Sequence, residues 1–145
     1  MAQQSLTNNE RIELTILRNL IFNEDYTRKT LPFINEIYFT KREEKILFQE
    51  IDSFVQKYKN LPTKESILIE LGNRKDINEE ENKIVKELIN SLNPEDIDQQ
   101  WLLDTTEKFC KDRAVHNAVL DGIKILDGKD KKRTQDSKRI SYFIK

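Results

Sequence analysis

Residues 99–127 read QQWLLDTTEKFCKDRAVHNAVLDGIKILD, 29 positions without a proline and with one glycine, Gly122. So long a stretch without a breaker predicts a continuous helix of about 40 Å, at a rise of about 1.5 Å per residue. Along it Val115, Val119, Gly122 and Leu126 share one side at helical spacing. Ala114, Ala118 and Gly122 follow at i, i+4 and i+8, a strip of small side chains against which another helix can approach closely. A compact bundle of about a hundred residues has a radius of gyration of only about 13 Å. The helix is therefore expected to outreach such a bundle and to want a partner helix, from this chain or another.

Upstream of Gln99, most segments carry their own start signal. Thr7-Asn8-Asn9-Glu10 and Thr40-Lys41-Arg42-Glu43 have capping-box spacing, in which a hydroxyl and a carboxylate satisfy the free amides of a first turn. After the first, Leu14, Leu17, Leu20 and Ile21 recur at helical spacing as far as about Asn23. After the second, Ile46, Leu47, Ile51, Phe54, Val55 and Tyr58 mark a helix of about five turns. Between them Tyr26, Leu31, Pro32, Phe33 and Ile34 read as a short helix and a turn, because proline limits helix in the residue before it. Asn60-Leu61-Pro62 stops the second long helix. Thr63 to Ser66 then opens a short one through Ile67, Leu68 and Leu71, with Gly72 expected as its C-terminal cap. Asn78 with Glu79, Glu80 and Glu81 starts another, whose buried face is Ile84, Val85, Leu88, Ile89 and Leu92, and Asn93-Pro94 ends it.

No segment alternates with the period of a strand, so the expected fold class is all-α: a compact orthogonal helical bundle ending in a long protruding helix. The expected organisation is a globular bundle over 1–98, the long helix over 99–128 and a basic tail over 129–145. The tail holds seven basic and two acidic residues, net +5, which leaves −6 on the preceding part of a chain whose overall charge is −1.

Composition supports this reading. At 145 residues the chain is one ordinary domain. Leu, Ile, Val and Phe supply about 30% of it, well above the level at which chains fail to fold. Three glycines and three prolines are too few for a turn-rich β architecture. No apolar run apart from one containing Pro32 exceeds three residues, which excludes a membrane span. The lone Cys110 builds neither a disulfide framework nor a cysteine zinc site, so an intracellular, cytoplasmic setting is expected.

Chemistry is hard to place. Gly122 and Gly128-Lys129 mimic a phosphate loop, but the spacer is five residues instead of four, and Asp130 stands where Ser or Thr should hold magnesium. Gly128 reads better as a helix cap. His116 is the sole histidine and Cys110 reads as small core filler near Phe109. The acidic clusters Glu43-Glu44, Glu79 to Glu81 and Glu95-Asp96-Asp98 sit at predicted helix starts, where the dipole accounts for them. Trp101 is expected to be a core anchor. No catalytic, cofactor-binding or metal-binding residue is assigned, and the residues alone indicate an assembly or interaction module. The alternative is a small nucleic-acid-binding protein that uses the basic tail on phosphates.

Two stretches carry a resemblance. Leu20-Ile21-Phe22-Asn23-Glu24-Asp25-Tyr26, with Leu31-Pro32-Phe33 and Tyr38-Phe39, resembles the opening of the replicative DNA helicases of T-even-like phages, viral relatives of the bacterial DnaB family. Trp101-Leu102, Thr106-Glu107-Lys108-Phe109, Arg113-Ala114 and Asn117-Ala118 resemble the helix that closes the globular part of that family's N-terminal domain. With the Leu61-Pro62 turn, the resemblance covers roughly residues 10 to 128.

The resemblance implies that the long helix is the first arm of a helical hairpin. Such hairpins pair N-terminal domains, and three pairs form a collar on a hexameric ring that recruits primase and surrounds DNA. The implied interface is Ala114, Val115, Ala118, Val119, Gly122 and Leu126, with Trp101, Phe109, Phe22 and Phe39 as structural anchors. ATP and magnesium belong, on the same reading, to a separate motor domain, so this chain is expected to be non-catalytic. After about Gln135 the sequence departs from the family: Asp136 to Lys145 lacks the amphipathic pattern of a return arm, which is expected to be short or missing.

Overall fold

The structure, a computed structural model, describes residues 5–127. They form six α-helices and two short 3-10 turns, with no strand among the described residues. The helices are α1 (Asn8–Phe22), α2 (Glu24–Thr30), α3 (Arg42–Tyr58), α4 (Lys64–Gly72), α5 (Glu79–Ser91) and α6 (Gln99–Asp127), and the 3-10 turns Leu31–Phe33 and Glu36–Tyr38 link α2 to α3. The all-α expectation holds, and the long helix spans Gln99–Asp127. Gly128 and the basic segment 129–145 lie outside the described residues.

Capping explains where most helices begin. The Thr7 hydroxyl accepts from the Glu10 amide at 3.1 Å while the Glu10 carboxylate accepts from the Thr7 amide at 2.8 Å. Thr63 with Ser66 and Asn78 with Glu81 repeat this reciprocal box. Asn23 caps α2 through the Tyr26 amide, and Asp98 caps α6 through the Trp101 amide at 2.8 Å. Each such cap stabilises its helix by about 1 kcal/mol.

The Thr40 box does not form. The cap residue of α3 is Lys41, with no side-chain hydrogen bond, because the Thr40 amide and hydroxyl both donate to the Glu13 carboxylate of α1, each at 3.1 Å. Gly72 is likewise not the cap of α4; it is the last helical residue, and Asn73 follows in right-handed backbone. Left-handed backbone occurs instead at Lys59, with φ 59°, where it closes α3.

Two compact units divide the chain at Glu107 and Lys108, inside α6. In the first unit α3 is central and packs on α1, α4 and α5. Leu17, Leu20, Ile46, Leu47, Ile51, Leu71, Val85 and Ile89 are all fully buried there. Burying each contributes on the order of 2 kcal/mol relative to leaving it exposed. Ile84, read as part of the buried face of α5, is exposed. The start of α6 joins this unit through Leu102 and Thr106: the Tyr26 and Thr106 hydroxyls share a buried hydrogen bond at 2.7 Å.

The anchor residues divide. Phe39 is buried with its ring 5.4 Å from that of Phe48, and Phe109 is buried. Phe22 is half-buried under the Lys64 ammonium at 5.8 Å. Trp101 is 51% exposed and is no core anchor, because the inward residues at the start of α6 are Leu102 and Thr106, and Trp101 lies about 100° away from Leu102 around the helix. Glu44 also departs from expectation: it is not a solvated first-turn acid but is 1% exposed.

Candidate interaction surface

In the second unit, residues 108–127 of α6 carry the apolar pattern singled out in the sequence, and it faces solvent. Val115 is 65% exposed, Val119 56% and Leu126 62%, while Ala114 is exposed and Ala118 and Gly122 are half-exposed. Not one residue from Lys111 to Asp127 is buried. The side is wider than the six residues named from the sequence: Ile123, 48% exposed, and the half-exposed Ile125 flank the Ala118–Gly122 strip. Their spacing signals this, since Ile123 follows Val119 by four and Ile125 follows Ala118 by seven.

Gly122 sharpens the physical problem. Glycine inside a helix costs about 1 kcal/mol relative to alanine. A Cβ added there would meet nothing within 4 Å, so nothing described in this chain uses the missing side chain. A close approach by another helix would use it. At the start of this stretch Lys108 and Asp112 pair at 3.0 Å, and the Arg113 guanidinium lies 5.5 Å from the ring centre of the buried Phe109.

The other chemical candidates recede. Gly122 lies in mid-helix and not in a loop, so the Gly122 and Gly128-Lys129 pair does not fit a phosphate cradle. Burial pushes the Cys110 thiol up to about 11, away from the thiolate a nucleophile needs. His116 is exposed on α6. No group of three or more metal-ligating side chains comes together among the described residues. An open groove of about 490 Å³ beside Arg18, Phe22, Asn23, Pro94 and Gln99 has Arg18 already paired with Glu95 at 2.7 Å. None of the described helices is long and apolar enough to cross a membrane.

Fold and surface together define a class: an all-α domain whose described residues run into a long helix with a solvent-facing apolar side. Over 104 residues, 72% of its length, the chain is 35% identical to a DnaB-like replicative helicase of Enterobacteria phage T4. The match spans 22% of that helicase. No family profile matches the chain. The similarity bears out the resemblance to DnaB-like replicative helicases over that stretch.

Proposed function

We propose that the chain acts as the collar and oligomerisation domain of a phage-type replicative helicase, pairing with a second copy through the apolar side of α6 and presenting a platform for primase. The observation that carries the pairing is the exposure of Val115, Val119, Ile123 and Leu126 around a glycine that has no use within the described chain. Contiguous exposed apolar surface of this kind marks association sites in soluble proteins. The similarity to a replicative helicase supports a place in DNA replication. The resemblance to its relatives supports a hexamer of paired domains, primase as partner, indirect contact with DNA and a place in the host cytoplasm. On this reading the domain performs no chemistry itself, and ATP and magnesium are used by the motor region of the helicases it resembles. The rival use of the 129–145 segment on nucleic acid draws no support from the match.

Light scattering across a concentration series tests the pairing. The unmodified chain should self-associate, and Ala118→Glu, which would desolvate a charge at the contact, should weaken association by about a hundredfold or more while helicity by circular dichroism is unchanged. A monomer at the highest soluble concentration that also fails to bind the cognate primase would overturn the proposal.

A further inference from the structure

Glu13 of α1 is fully buried and Glu44, in the first turn of α3, is 1% exposed. The two acids sit on helices that pack against each other, α1 and α3, and Glu13 is the neighbouring acid that acts most strongly on Glu44. Glu13 accepts from both the amide and the hydroxyl of Thr40, the residue just before the α3 cap. Glu44 Oε1 is buried and meets no hydrogen-bond donor among the described residues. We propose that Glu13 and Glu44 form a one-proton latch between α1 and the start of α3, closed at neutral pH by a shared proton and loosened by alkali.

The geometry carries the argument. Two adjacent carboxylates taken out of water cannot both ionise without large desolvation and repulsion costs. One proton resolves both, because a neutral Glu44 can donate to Glu13, which already accepts from Thr40. The charges around the pair do not replace that proton. Lys41, just before α3, favours ionisation of Glu44 but is paired with Glu10 of α1 at 3.0 Å; Glu43 on the same helix opposes it. Lys45 donates to the Phe39 carbonyl, and Arg42 is paired with Glu81 of α5 at 3.0 Å. Burial first, then Glu13, pushes the Glu44 carboxyl up from 4.5 to about 8.

The sign follows. Between about 4.5 and 8 the folded chain holds a proton that the unfolded chain releases, so the contribution of Glu44 to stability is full below that window and is lost as pH rises through it. When the proton leaves, the two charges repel across the junction of α1 and α3, and the Thr40 tether and first turn of α3 loosen.

Three measurements on the 145-residue chain test the latch. The carbon resonance of the Glu44 carboxyl should titrate well above the ordinary carboxylate range. The unfolding equilibrium constant, from urea titrations, should rise at least about tenfold between pH 6 and pH 9, but less than about twofold in Glu44→Gln, whose neutral amide keeps a donor facing Glu13. In Glu13→Gln the transition should move to lower pH. At a common pH of 9, amides in the first turn of α3 should exchange faster in the unmodified chain than in Glu44→Gln. A Glu44 resonance titrating in the ordinary carboxylate range, or a Glu44→Gln chain with undiminished pH dependence, overturns the latch. If Glu44→Gln does not fold, the resonance of the unmodified chain decides alone.

Discussion

In the unit that ends at Glu107, Leu17, Leu20, Ile46 and Ile51 are essentially inaccessible to solvent, while in the unit beginning at Lys108, Val115, Val119 and Leu126 are each more than half exposed. Both groups are aliphatic and both recur at helical spacing. The first set is satisfied within its own chain. The second is not, among the described residues, and aliphatic surface held in water at that spacing has a use only where something else covers it. Helical periodicity thus states that a stripe seeks cover without stating whose.

The contrast can be broken by experiment, beginning where the effect is largest. Ile51→Ala should destabilise the first unit by about 2 to 5 kcal/mol, measured by urea unfolding, because it leaves a cavity among close-packed neighbours. Val119→Ala should change the stability of the isolated chain by less than about 0.5 kcal/mol and instead weaken self-association. Equal losses from the two would mean that Val119 is core after all. Gly122→Ala comes next: it should raise the melting temperature of the monomer through about 1 kcal/mol of helix propensity, yet reduce association by crowding the strip. A gain in both would remove the strip from the interface. The smallest effect is expected of Lys59→Gly, which relieves left-handed backbone at the end of α3 and should stabilise the first unit by up to about 1 kcal/mol without altering association.

Local chemistry was legible in the sequence and distant neighbours were not. The box at Thr7 and the helix starts at Thr63 and Asn78 were readable because a cap involves residues three positions apart. The Thr40 box has the same spacing but is overruled by Glu13, 27 residues earlier in the chain. Trp101 misled for a related reason: residue type suggests burial, but the face of α6 that meets the core is set by Leu102 and Thr106. Glu44 was hidden entirely, since an acid in a first turn is usually solvated and only the packing of α3 on α1 buries it. Spacing shows that Val115, Val119, Gly122 and Leu126 share a side, but not whether that side is covered, and the exposed Ile123 and half-exposed Ile125 widen it.

Polar bonds from the first two helices to the end of the bundle join Arg18 to Glu95, Asn23 to Gln99 and Tyr26 to Thr106. Each closes between 76 and 80 residues of chain. Loops of that size carry an entropy cost that must be met before the bond repays it, so these closures belong late in folding, after the local helices have formed. During synthesis the partners of Arg18, Asn23 and Tyr26 leave the ribosome some 76 to 80 residues after them. The first unit therefore cannot be completed until the root of α6 has been made, and this timing ties the completion of the bundle to the arrival of the helix through which we propose that it finds its second copy.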